Sequence, residues 1–240
     1  MNLRSTILFA VLLGAAFFSG SAFGQKKTKT KSTVMSAQAR VKSDADQDNK
    51  AAEWVGSLNL NDADKAERLK NVITTHLKTV RDWHNDHPFS TVPAGINPAT
   101  GNKLSELDRQ VIANSAMPGT VHESLMNGLR KDLSEEQVEL ILDKYTVGKV
   151  AFTMAGYKAI VPDLKPEEEA TILKNLKLAR EQAVDFKNMN QISAIFEIYK
   201  TKCEQYLNNN GRSWKQLFKD YVTAAKAKKA ADAEKAKSKN

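Results

Sequence analysis

Apolar side chains recur three and four positions apart through most of the chain. Between residues 62 and 83 they fall at Leu69, Val72, Ile73, Leu77 and Val80, with His76 on the same stripe, and this spacing predicts an amphipathic helix. The same period turns Leu173, Leu176, Ala179, Ala183 and Phe186 inward across 166–187. It also aligns Ile192, Ile195, Phe196, Tyr199, Cys203, Tyr206 and Leu207 across 190–209, with Gly211 as the stop. Shorter helices are predicted over 105–114, 120–131 and 134–147, after a first one that begins near residue 50 and docks Trp54 and Val55. A last one opens at Ser213 and carries Trp214, Leu217, Phe218 and Tyr221. Residues 147–161 fit neither period, and Gly148 and Gly156 weaken a helix there, so an irregular segment with one helical turn is expected. No stretch alternates at the strand period. The predicted fold class is all-α: a single multi-helix bundle with one long ordered loop and flexible N- and C-terminal tails.

Helix starts are marked in the sequence. Leu60, Leu133 and Leu164 each precede a polar, acid-rich first turn, and a second leucine follows nine residues later at Leu69, Leu142 and Leu173. Ser134 with Gln137 has the form of a capping box, Leu133 with Val138 that of a hydrophobic staple, and Ser105 has Asp108 three residues on. Thr120 with Glu123 reads as another cap, and Pro166 suits a first helical position.

The helical pattern fails over residues 80–104, V-R-D-W-H-N-D-H-P-F-S-T-V-P-A-G-I-N-P-A-T-G-N-K-L. Three prolines and two glycines exclude regular structure from residue 88 onward. Trp83, Phe89, Val92 and Ile96 give it enough apolar surface to be ordered. Long loops inside a domain are usually functional or disordered, so an ordered loop that builds a site is expected.

Composition changes the picture in three ways. Residues 1–24 have a positive start at Arg4, 12 apolar residues over 7–18 and small residues before Gln25, the pattern of a signal peptide. That run is short of the ~20 residues a spanning helix needs, so an exported protein, periplasmic or secreted and without a transmembrane segment, is expected. The single cysteine, Cys203, excludes an internal disulfide and leaves stability to a packed core. The formal charge of +8 is concentrated at the ends: residues 43–223 hold 23 basic and 26 acidic side chains, a balance of −3. Nucleic-acid binders concentrate Lys and Arg on a folded face, so no nucleic-acid partner is expected. The domain is placed at 50–223, between a flexible leader over 25–49 and an Ala/Lys-rich tail over 224–240.

The densest chemistry lies in Asp82, Trp83, His84, Asn85, Asp86 and His87. An indole beside short polar side chains suits a carbohydrate, whose C–H face stacks on the ring while its hydroxyls meet Asp, Asn and His. Asn97, Thr100, Asn102 and Lys103 are candidates for the rim, and Arg109 for pairing with an acidic sugar's carboxylate. The alternative is that Trp83 plugs the helix end into the core while its polar neighbours cap it. An enzyme would use His84 or His87 as base with Asp82 or Asp86 orienting it, or two carboxyls from among Asp86, Glu106 and Asp108. His84-x-x-His87 lacks the helical i, i+4 spacing of the zinc protease motif, so no metal and no cofactor are expected. No phosphate-binding, dinucleotide or Ser/Cys nucleophile motif is present. His76 is expected in the core, His122 facing solvent, and Arg180 in a structural ion pair with a ligand-facing role as the alternative.

The W-H-N-D-H-P segment running into G-I-N-P-x-T-G, the L-S-x-E-Q helix start, L-A-R-E-Q-A, and the ending I-F-E-I-Y-K-x-K…Y-L-x-x-x-G together resemble a secreted family of glycan-degrading Gram-negative bacteria. It is catalogued as domain-of-unknown-function family 3826, and a sugar-binding role is ascribed to it. The resemblance covers residues 54–221. It implies a carbohydrate ligand, an oligo- or polysaccharide of plant or host origin, and association with polysaccharide utilisation; it assigns no residue roles. The L-S-x-E-Q start also resembles the L-T-x-x-Q motif of small periplasmic stress chaperones of the Spy and CpxP type. Three functions therefore stand as expectations: a non-catalytic carbohydrate-binding protein, a polysaccharide-processing hydrolase or lyase using the same loop, and a chaperone-like helical module.

Overall fold

The computed structural model describes residues 35–98 and 101–237. The predicted signal peptide, the leader up to residue 34 and Thr100 lie outside the described residues. Among those described, nine α-helices follow one another: α1 Ala37–Gly56, α2 Ala63–Asp86, α3 Glu106–Ser115, α4 Gly119–Asp132, α5 Glu135–Thr146, α6 Lys149–Ile160, α7 Pro166–Ala183, α8 Met189–Asn209 and α9 Trp214–Lys237. There is no strand among them, and the fold is all-α as the periodicity indicates. No described helix is long and apolar enough to cross a membrane.

Most of the helix starts form as the sequence marks them. Ser105 with Asp108 and Ser134 with Gln137 close capping boxes, Leu133 and Val138 are both buried in one cluster, and Pro166 opens α7. The predicted Thr120 cap is not made: α4 begins one residue earlier behind Pro118, with no side-chain cap. Two predicted irregular stretches are helical. Residues 37–49 belong to α1, where only Ala51 and Val55 are buried. What holds this arm on α2 is ionic: Arg40 pairs with Asp82, Arg81 with Asp44, and Lys78 with Asp48. Such pairing leaves no apolar period to detect. Residues 149–160 form α6, with Val150, Met154 and Tyr157 buried along one face. Their period is masked by Phe152, which is 64% exposed, and by Gly156, which faces open space.

The buried side chains divide into two clusters. The first unites α1, α2, α4 and α5 around Leu69, Ile73, Leu129 and Ile141. The second unites α6, α7 and α8, with Trp214 of α9, around Ile172, Leu176, Ile195, Phe196 and Cys203. Helices α2 and α4 cross closely at Gly128, where a Cβ would stand 2.7 Å from the Val72 methyls. The segment after α7 stitches the clusters together, because Val184 belongs to the first while Ala183 and Phe186 belong to the second. Arg180, 4% exposed, reaches Asp143 and Glu139 of α5 across the same seam, the structural ion pair expected of it.

Candidate functional site

Helix α2 does not end at Trp83 but runs on to Asp86, so Asp82 to Asp86 are helical and the expected loop site is split around a helix. Residues one apart on a helix point about 100° away from each other, and the six polar and aromatic groups disperse accordingly. Asp82 faces α1 and is held by Arg40 (2.5 Å) and Arg81 (2.8 Å). His84 points inward: it is buried, and its Nε2–H donates to the Asp185 carbonyl at 2.9 Å. Burial pushes its pKa down, which keeps the ring neutral. Asn85 accepts from Lys187 Nζ at 2.8 Å, and Asp86 is exposed.

Trp83 is half-buried, and His87 stacks on it with centroids 3.7 Å apart and planes 14° apart. Nδ1–H of His87 donates to the Trp83 carbonyl at 3.0 Å, closing the helix end. The indole is thus covered on one face by its own chain and is not the open platform the sequence suggests. Its Nε1–H is buried without a partner. The expected capping of the helix end is made by one residue, His87.

The described residues between α2 and α3 carry local structure. They form a 3-10 turn at Phe89–Thr91 and a short antiparallel bridge between Ile96 and Lys103, with Gly101 at φ +71 in the turn. Asn97 and Asn102 belong to that bridge through an Asn97 N–H to Asn102 carbonyl bond of 2.7 Å. Arg109 is taken up by this segment: its guanidinium donates to the carbonyls of Val92 (2.6 and 2.9 Å) and Ser90 (3.3 Å) and lies over the Phe89 ring. It is a clasp for the loop, with Nε and Nη2 spent on carbonyls.

The structure does bring part of the predicted set together. His84 and His87, with Pro88 and Phe89, line a cavity of about 230 Å³ whose other walls are Gln110 and Ala113 of α3 and Lys187, Asn188 and Gln191 at the start of α8. No carboxylate lines it. Two other depressions are less suited to a specific ligand. The groove of about 440 Å³ between α2 and α4 presents Asn71, Ser124, threonines and aliphatic side chains, with His76 at its floor and no Asp, Glu, Lys or Arg. A cleft of about 890 Å³ among α1, α2 and α5 has Arg81 and Asp143 already paired, with Asp44 and Arg180 respectively. Lys187 and Asn188 border both this cleft and the small cavity.

Sequence inspection missed the residue that positions this wall. Asp185, between α7 and α8, accepts from His76 Nε2–H (3.0 Å) through one oxygen and from His122 Nδ1–H (2.9 Å) through the other, while its carbonyl takes His84. Three of the four histidines therefore converge on it. Tyr145 donates its hydroxyl to His76 Nδ1 at 3.1 Å, which satisfies the core histidine on both nitrogens. His122, expected to face solvent, has a side chain only 29% exposed. Asp185 and Glu181 raise its pKa, Asp185 through the larger effect. The two imidazoles hold the Asp185 carboxyl below its usual range against the opposing effect of burial. No composition or spacing signal marks an aspartate that meets partners 63 and 109 residues away.

This geometry limits the chemistry. No base–orienter pair forms within the 82–87 segment, since Asp82 is engaged by arginines and His84 by a carbonyl. The half-exposed imidazole of the His122–Asp185 pair has Glu181 3.7 Å from its second nitrogen. Among the described residues no cluster of three His, Cys, Asp or Glu side chains could hold a metal ion.

No curated protein matches the chain in sequence. A family model described as "Protein of unknown function (DUF3826)" matches residues 44–227, which takes in every helix from α2 to α8, most of α1 and the first half of α9; the chain belongs to that family.

Proposed function

We propose that the protein is an exported carbohydrate-binding protein associated with polysaccharide use, and that the small cavity at the end of α2 receives one residue of a glycan. The observation that carries this is the lining, in which the aromatic residues His87 and Phe89 share one cavity with Gln110, Gln191 and Lys187. Ring faces with convergent donors are what a sugar requires. At about 230 Å³ the cavity is below the ~300 Å³ at which pockets for drug-sized molecules begin. A single ring at a chain end fits that limit, with the rest of the glycan outside. The stacking surface is assigned to His87, stiffened from behind by Trp83.

The test is thermal shift and calorimetry across a panel of plant and host oligosaccharides. At least one is expected to raise the melting temperature of the wild type, and His87→Ala and Gln191→Leu to abolish that shift. A flat response across the panel, or binding insensitive to both substitutions, would overturn the proposal.

A further inference from the structure

We infer that the cavity selects a carboxylate-bearing sugar, a uronic acid residue, with its carboxylate bound between the Lys187 ammonium and the Gln191 amide. This rests on the carbohydrate-binding reading and specifies the charge of the ring.

Four observations converge. Gln191 is 7% exposed yet lines the cavity. Its Oε1 accepts from the Lys187 backbone N–H at 3.2 Å, which fixes the amide so that its NH₂ is the free end. That NH₂ has no acceptor among the described residues and is not sealed from solvent, so it is available to a ligand.

Lys187 is the second donor. Its ammonium touches the Asn85 amide oxygen at 2.8 Å and forms no ion pair among the described residues. Every other wall group is neutral or an imidazole, so Lys187 is the one ammonium on the cavity wall. Partial burial lowers the pKa of this lysine, and a bound carboxylate would oppose that effect.

The third observation is position. Lys187 and Gln191 flank Asn188, the N-cap of the 21-residue helix α8, and the N-terminal end of a long helix favours negative charge. The fourth is rigidity. Asp185, two residues before Lys187, is pinned by three imidazoles, and Phe186 is buried in the second cluster, so the two donors stand on a fixed wall. Arg109, which the sequence offered for this task, does not line this cavity and holds the loop through Val92 and Ser90.

The experiment is calorimetric titration of the full chain with galacturonate and glucuronate trisaccharides, their methyl esters and the matching neutral sugars. The methyl ester keeps the ring and removes the charge. An acid is expected to bind about tenfold more tightly than its ester, the size of one charge-assisted hydrogen bond. Lys187→Gln, at an exposed position that leaves the core intact, should collapse that ratio to about one. Gln191→Glu, which places a like charge beside the ligand, should invert it. Melting curves of both variants establish that they are folded. Equal affinity for acid and ester overturns this inference and leaves saccharide binding standing; no binding of acid, ester or neutral sugar overturns both.

Discussion

Asp185 shows how much of the site depends on one side chain. Its carboxylate accepts from His76 and His122 and its carbonyl from His84, so it ties α2 and α4 to the segment that presents Lys187 and Asn188. Asp185→Ala leaves a buried donor without its acceptor, and loss of about 3 kcal/mol of unfolding free energy is expected by chemical denaturation, the scale for removing one partner of a buried pair. The pH dependence has a definite sign. A carboxylate whose pKa is lowered on folding stabilises above its ordinary 3.8, and that contribution is lost as pH falls through the lowered value. His122 has a raised pKa, so its contribution is complete below its ordinary 6.5 and is lost as pH rises through the raised value. His122→Asn should therefore depress the melting temperature more at about pH 5.5 than at about pH 8.5. An equal depression at both would mean that the imidazolium is not what Asp185 holds. None of this could be read from the sequence: His76 shows itself on an apolar stripe, but neither Asp185 nor His122 lies within any pattern that joins them.

Helices with an apolar stripe and a cap, such as α2, α5, α7 and α8, can be placed from the sequence to within a few residues, because burial and capping act locally. Helices lacking one of those signals cannot. The first half of helix α1 is attached by ion pairs, and α6 follows a connection in which Val147 takes φ +53 and Gly148 φ +66. A β-branched residue is a poor choice for the left-handed conformation at a helix end, so Val147 conceals the stop that a glycine would have announced. Val147 is 71% exposed, which leaves backbone strain as the main consequence of changing it. Val147→Gly should raise stability by about 1 kcal/mol, measured as a higher denaturant midpoint at unchanged slope. A lower midpoint would show that the valine is not strained. The extension of α2 by three residues past Trp83 belongs to the same class: His87 supplies the cap from its imidazole, a device with no recurrent sequence signature. That extension is what separated the six clustered residues, leaving His84 and His87 at the cavity and sending Asp82 to the arginines of α1 and α2.

At the scale of the whole molecule, charge and architecture agree on where a ligand belongs. Lys226, Lys228 and Lys229 are exposed on α9, which contributes no wall of the cavity, while the region between residues 43 and 223 is mildly acidic at −3. Against that background a cavity walled by Lys187, two imidazoles and three amides, with no carboxylate, is a local departure in sign. It forms where α2 ends, α3 begins its inner face and α8 starts, at the seam between the two core clusters. The sequence indicated the segment that contributes four of its nine wall residues; Gln110 and Ala113 come from α3 and three more from residues 187–191, about a hundred positions beyond α2, and only packing brings them together. The most direct measurement is an amide and side-chain NMR titration of the full chain with the oligosaccharide that gives the largest thermal shift. Perturbations confined to residues 84–89, 110–113 and 187–191, together with the Gln191 side-chain NH₂, are expected; shifts centred instead on the α2–α4 groove around Thr75, Thr79 and Ser124 would contradict the assignment of the site.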